Sequence, residues 1–370
     1  TANILTEMIT RGAGERDHQA LTMDLDNLGL DRSEGVGSYH MRFWGGTVSR
    51  NLEACLQIYA DILQRPHLPE SSLDPAKSLA LQDLLSLEDQ PGQLLGIQLR
   101  NLYLPPPLSN ERRGTAEGIE SLTLDDVRSY HQRFIQPHGT ILSVAGNFEW
   151  DALKSQVGEL FGDWKPNPPP PFKVGEITEK HAYLEKQQEQ TWIGMACPSV
   201  PLGHEDYYHV LGAVNVLSGG MSSRLFTEVR EKRNLCYSVR ASYLGFKDRA
   251  SVLGFASSTN ERAQTTLDVM REEFRRLREG ITSDEIDRVQ AGLKSSLIMQ
   301  QESTSSRAGA MASDWFYLNR LRTFDELQNA IHGLTPESIQ GYLATRWKMS
   351  RSQPLDHNRS SFRRDRTRAT

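Results

Sequence analysis

The sequence predicts an α+β protein in which one α/β sandwich domain occurs twice. Three observations carry this. Amphipathic helices alternate with short apolar, aromatic-rich segments along the chain. A proline run divides the 370 residues near their middle. Elements on either side repeat at one spacing: Leu122-Thr123 through Val127 to Tyr130 matches Leu334-Thr335 through Ile339 to Tyr342, since 334 − 122 = 212. Thr47 and Thr259 share that offset, as do Cys55, Ile58 and Ile62 with Leu267, Met270 and Phe274 (267 − 55 = 212).

Taken in order, Ala2–Ile9 and Ala20–Leu28 read as helices. Tyr39–Val48 carries aromatics and a glycine pair and reads as a strand. Leu52, Cys55, Leu56, Tyr59, Ile62 and Leu63 fall at helical spacing, and another long helix runs through Pro75–Leu87. Thr123–Phe134 reads as a helix with Thr123 as N-cap and Asp126 in its first turn. Thr140–Ala145 reads as a buried strand, ending at Gly146-Asn147. Four consecutive prolines within Pro166–Pro171 exclude helix and interior strand, so this is a stiff extended linker. The domains expected are 1–165, the linker 166–171, 172–347, and a tail over 348–370. The tail carries seven Lys/Arg against two Asp and almost nothing apolar, and is expected to be disordered. The second domain ends without a strand matching Thr140–Ala145. The chain opens at Thr1 inside a helix, so the first domain is expected to lack its start.

Composition narrows the function classes. A hydrophobic fraction of 38% and a charged fraction of 24% are ordinary for a globular protein. The net charge of −5 gives no reason to expect nucleic acid or an anionic membrane as partner. No apolar run approaches the ~18 residues of a membrane span, and no signal peptide is visible. Cys55, Cys197 and Cys236 form no C-x-x-C pair and read as buried thiols. Of the ten histidines none forms H-x-x-E-H or H-E-x-x-H, and His204/His209 and His131/His138 lack metal spacing. Gly12-Ala-Gly14 has no strand before it and reads as a loop, and Pro105-Pro-Pro107 as a rigid turn. Phe43 and Trp44 read as core or cleft wall.

The segment Leu217-Ser-Gly-Gly-Met-Ser-Ser-Arg-Leu-Phe-Thr-Glu-Val-Arg-Glu-Lys-Arg-Asn-Leu-Cys-Tyr-Ser-Val239 holds the densest information. It reads as a glycine turn, a charged helix from about Ser222 to Lys232, and a strand opening near Tyr237. The glycines lack a following Lys-Ser/Thr, so it is no P-loop. Arg230 and Tyr237 lie seven residues apart across the helix-to-strand turn and can face one cleft. There an arginine can hold a peptide carbonyl or carboxylate, and a tyrosine can donate to a carbonyl oxygen as charge develops on it. Taken alone, the two read as a solvated arginine and a half-buried tyrosine.

This stretch resembles the second-domain signature of the pitrilysin/insulinase family of zinc peptidases, where Gly-Gly-Met-Ser-Ser-Arg-Leu-Phe precedes an Arg and a Tyr seven apart. The likeness extends over most of the chain, through the proline-rich linker, the Gln190-Thr-Trp-Ile-Gly strand and the doubled domain. It implies the pitrilysin/mitochondrial-processing-peptidase architecture, with Arg230 and Tyr237 binding substrate and stabilising the transition state. The family's metal site is an inverted motif, His-x-x-Glu-His, completed by a distant Glu. By that resemblance Asn3 stands for the first His, Thr6 for the Glu and Glu7 for the second His. Asp83 stands for the third ligand (83 − 7 = 76), a register supported by Leu87-Glu-Asp-Gln-Pro91. Both histidines and the general base are gone. Glu7 and Asp83 form a poor zinc set, at best a weak site for a hard cation.

The resemblance therefore implies the zinc-free half of a heterodimeric metalloendopeptidase, with no metal of its own. Its expected partners are a homologous zinc-bearing subunit and a peptide substrate, in the cytoplasm or periplasm of a bacterium. The rivals are a non-enzymatic scaffold or peptide-binding homologue, and an independent peptidase with another mechanism. The last ranks lowest because no nucleophile–base pair stands out.

Overall fold

The computed structural model of the chain describes residues 1–167, 175, 184 and 188–347. Prolines 168–171 of the linker and the basic tail 348–370 lie outside the described residues. In chain order the elements are α1 (Ala2–Met8), α2 (His18–Asn27), β1 (Asp31–Val36), β2 (Met41–Gly46), α3 (Leu52–Gln64), α4 (Leu73–Ser86), α5 (Pro91–Tyr103), α6 (Ala116–Glu120), α7 (Leu124–Phe134) and α8 (Trp150–Phe161). There follow β3 (Gln190–Ser199), α9 (Tyr207–Ser218), β4 (Cys236–Gly245), β5 (Ala250–Thr259), α10 (Ala263–Arg276), α11 (Ser283–Glu302), α12 (Thr304–Leu318), α13 (Phe324–His332) and α14 (Pro336–Arg346). Contacts divide the chain into two compact units, Thr1–Lys186 with Ala291–His332, and Gln187–Gln290 with Gly333–Thr370.

In the first unit β1 and β2 form an antiparallel hairpin, in register from Asp31↔Gly46 to Val36↔Met41. Its core gathers Ile4, Leu5 and Met8 of α1, Leu21 and Leu25 of α2, Ile58 and Ile62 of α3, Ala76 and Ala80 of α4, and Val127 of α7. Met8 follows Ile4 by four residues and Leu5 by three, and the pairs on α2, α3 and α4 are each four apart, the stripe a helix buries. Thr123 closes a capping box with Asp126 at the start of α7, as its spacing predicts. Thr140–Ala145, expected as a buried strand, is irregular. A strand needs a ladder partner for its N–H and C=O groups, and the β1–β2 sheet does not supply one. Leu142 is half exposed, and Ser143 Oγ donates instead to the Ala308 carbonyl.

In the second unit a three-stranded antiparallel sheet has the order β3-β5-β4. Val210, Ala213 and Leu217 of α9, Met270 and Phe274 of α10, Val252 and Ala256 of β5, and Ile339 and Leu343 of α14 are buried. Trp347 stacks on Phe274 at 5.9 Å and donates from Nε1 to its carbonyl. The repeat is visible element by element. A hairpin, a single 3-10 turn (Ser49–Asn51; Asn260–Arg262) and a long helix recur. A second capping box opens α14 at Thr335, at the same offset as Thr123 (335 − 123 = 212). Among the described residues no helix is long and apolar enough to cross a membrane.

Candidate functional site

The charged helix expected over Ser222–Lys232 is instead a wide π-helical turn, Phe226–Glu231. The Lys232 N–H reaches five residues back, to the Thr227 carbonyl, at 2.9 Å. Such turns widen the helix locally and recur at functional sites. The turn ends at Asn234, whose φ of +49° lies in the left-handed region that Asn tolerates. Asn234 N–H donates to the Arg230 carbonyl, the 5→1 bond of an αL helix ending, and Leu235 N–H reaches six residues back to the Val229 carbonyl. The chain is thereby reversed into β4.

At the start of β4 the register shifts: Cys236 pairs with Ser258, Ser238 with Ser257, and Tyr237 is the extra residue of a β-bulge. A bulge re-aims its side chain. Tyr237 is 78% exposed, more open than the half-buried tyrosine its sequence position implied. Behind it, Ser258 Oγ and Thr266 Oγ1 both donate to the Leu235 carbonyl, at 2.6 and 3.2 Å. Further up the turn, Arg224 holds Glu285 in a bidentate pair and donates to the Gly280 carbonyl. Burial opposes the Glu285 charge, but Arg224 and the Thr282 N–H outweigh it and hold the carboxyl below its usual range.

Arg230 and Tyr237 line one cleft of about 530 Å³, with Gln190, Asn234, Cys236 and Arg262 among its other walls. The Arg230 guanidinium lies 4.9 Å from the Phe226 ring centre and 6.0 Å from that of Tyr237. It makes no hydrogen bond or ion pair among the described residues. The Cys236 thiol is pushed up to about 11 by burial, against the opposing influence of Arg230. It therefore remains a thiol at neutral pH rather than a nucleophile.

The degenerate metal positions are elsewhere in structure and in chemistry. Asn3, Thr6 and Glu7 occupy the partly exposed face of α1, opposite buried Ile4, Leu5 and Met8. Thr6 Oγ1 donates to the Ala2 carbonyl. Asp83 on α4 is engaged by Arg113 at 2.8 Å. Among the described residues no metal-capable group contains Glu7 or Asp83. The donors there do not fit zinc, which takes Cys, His and carboxylate ligands in a closed tetrahedron. One cluster escaped sequence spacing: the donor atoms of His204, Glu205 and Asp206 lie within 4.8 Å of one another. Asp206 explains it locally, bonding His209 Nδ1 at 3.0 Å and donating its N–H to His204 Nδ1. All three cysteines are buried, as expected, and none is in a disulfide.

Comparison with known proteins finds relatives over most of the chain. Residues 121–293 match the profile of the family described as peptidase M16 inactive domain. A Bacillus subtilis protein described as the uncharacterized zinc protease YmxG is 25% identical over 348 residues, 92% of this chain and 84% of its own length. An uncharacterized zinc protease of Streptomyces coelicolor is 24% identical, over 91% of this chain and 76% of its own. In fold, a peptidase M16 inactive domain from Pseudomonas fluorescens superposes with a TM-score of 0.81 at 21% identity, covering 94% of this chain and 85% of that one. A Helicobacter pylori protease gives 0.83 at 19%, covering 93% and 86%. In fold the chain is therefore similar to these structures, a mixed helix-and-sheet architecture. The matched profile spans 173 of the 370 residues (293 − 121 + 1 = 173), and the sequence contains no His-x-x-Glu-His.

Proposed function

We propose that this chain is the non-zinc subunit of a heterodimeric pitrilysin/insulinase-type metalloendopeptidase. In this role it lends Arg230 and Tyr237 to peptide substrate held at a homologous, zinc-bearing partner. The observation that carries the reading is the cleft: an arginine without an anionic partner and an exposed tyrosine line one cavity of about 530 Å³. Neither is needed for packing. Arg230 grips a backbone carbonyl or carboxylate and orients the peptide. Tyr237 donates its phenolic O–H to the carbonyl oxygen as negative charge develops there. The zinc belongs to the partner on this reading, because Asn3, Thr6, Glu7 and Asp83 offer neither a ligand set nor a general base. Without the partner the chain hydrolyses nothing.

The test is peptide hydrolysis by this chain, by a zinc-bearing homologue, and by the two mixed, with and without chelator. Chelator-sensitive cleavage that appears only in the mixture is the expected result. Cleavage by this chain alone would overturn the proposal. No gain on mixing would replace it with the non-enzymatic scaffold or peptide-binding role.

A further inference from the structure

The Arg230/Tyr237 cleft has a second cationic wall that the sequence motif does not contain. Arg262 stands in the 3-10 turn after β5, 32 residues beyond Arg230 (262 − 230 = 32). It lines the same cavity. One of its nitrogens donates to the Asn234 carbonyl at 2.6 Å. That bond ties Arg262 to the residue on which the chain reverses into β4, and its remaining N–H groups have no acceptor among the described residues. The turn that carries it is pinned as well: Asn260 accepts from Thr191 Oγ1 at 2.7 Å and donates to the Gln188 carbonyl at 3.0 Å. Gln190, between those two anchors, forms another wall of the cleft.

The charge balance of this surface is uneven. Lys232 and Arg233, beside the cleft, are both spent on Glu228 at 2.6 Å. Among the described residues Arg230 and Arg262 are paired with no carboxylate. The single acidic residue of the cleft wall, Glu231, leaves the two guanidiniums with one positive charge in excess. Guanidinium N–H groups match a planar carboxylate, and charge-assisted bonds of this kind are about twice as strong as neutral ones. A peptide carbonyl needs one such donor; two guanidiniums lining one cleft are matched to a full negative charge.

We propose that the cleft selects peptides by a carboxylate, which Arg262 binds together with Arg230, so that Arg262 is a specificity-determining residue of this subunit. The carboxylate is either the peptide's C-terminus or an acidic side chain. This inference rests on the reading of the cleft as a peptide site, but not on the zinc-bearing partner, and binding by this chain alone tests it.

Three fluorescent decapeptides of one neutral sequence serve as probes: a C-terminal amide, the same peptide with a free C-terminal carboxylate, and the amide with one central Glu. Their affinities for the full chain are read by fluorescence anisotropy. At least one carboxylate peptide is expected to bind about tenfold more tightly than the amide. The preference is expected to collapse at ~1 M salt, where the screening length is ~3 Å. Which of the two gains identifies the source of the carboxylate. Arg262→Gln abolishes the preference, Arg262→Lys retains most of it, and Arg249→Gln, at the far end of the β4–β5 hairpin, leaves it intact. Equal binding of all three peptides, no binding of either carboxylate peptide, or a preference that survives Arg262→Gln would overturn the inference. Equal binding together with partner-dependent cleavage would leave the subunit reading standing. A carboxylate preference without such cleavage would remove the subunit reading and keep this one.

Discussion

On α1 the five positions Asn3 to Glu7, which the resemblance sets against a metal motif, carry no histidine, whereas across the turn from Phe226 to Tyr237 an arginine and an exposed tyrosine share one cleft. The contrast is instructive because neither set holds the fold together. Helix α1 is fixed by Ile4, Leu5 and Met8, all essentially fully buried. Its opposite face is free to exchange His for Asn or Glu at little cost to packing, so the metal set can vanish while the helix stays. At the cleft, an exposed tyrosine and an unpaired arginine bring no comparable packing gain. On the proposed reading what maintains them is the peptide they bind.

That comparison can be broken most sharply at the cleft. In a reconstituted complex with a zinc-bearing homologue, Tyr237→Phe or Arg230→Ala is expected to lower kcat/KM by about 10²–10³, the cost of losing one donor to developing charge. Assembly, followed by size-exclusion chromatography, is expected to remain intact because Tyr237 is 78% exposed. Unchanged turnover would remove the distinction between the two regions and leave the cleft as surface.

A smaller effect is expected where the cleft is braced. Arg224→Met leaves the Glu285 carboxylate largely buried without its bidentate partner and is expected to cost about 2 kcal/mol at neutral pH by denaturant titration. Glu285 has a folded-state carboxyl held below its usual range. Its contribution is therefore complete above the ordinary carboxylate value and lost as the pH falls through the depressed one. The gap between wild type and variant is expected to narrow in acid. A gap that widened would mean the pair does not favour the charged form.

The smallest effect sharpens the comparison between the two copies of the domain. Thr335→Ala removes the cap of α14 and is expected to cost about 1 kcal/mol. Thr123→Ala is expected to cost α7 a similar amount, since the same box closes at the same offset. Markedly unequal losses would show that the two copies, alike in topology, have diverged in how they depend on this helix.

Local chemistry is legible in the amino-acid order alone. The faces of α3 and α10, the capping box at Thr123, the strand beginning near Gln190 and the loop at Gly12–Gly14 follow from side-chain spacing, cap residues and glycine freedom, all of which act within a turn or two. The pairing of Arg230 with Tyr237 is legible for the same reason, because seven residues across one reversal keep them neighbours. Two local expectations fail. Thr140–Ala145 has strand composition, but composition does not provide a partner strand. Ser222–Lys232 is helical from Arg224 to Glu231, but the αL ending at Asn234 and the wide π turn before it are settled where helix and strand must join.

What the sequence determined by itself is therefore α1 to α4, α7 and the face of α10, the common offset of 212 that relates the two halves, and the neighbourhood of Arg230 and Tyr237. Tertiary structure alone decided that Tyr237 is turned outward by a bulge, that Asp83 is engaged by Arg113, and that Arg262 joins Arg230 in one cleft. The physical reason is range. Propensity and periodicity act between neighbours along the chain, whereas a bulge, an ion pair and a shared cavity depend on segments brought together only by packing.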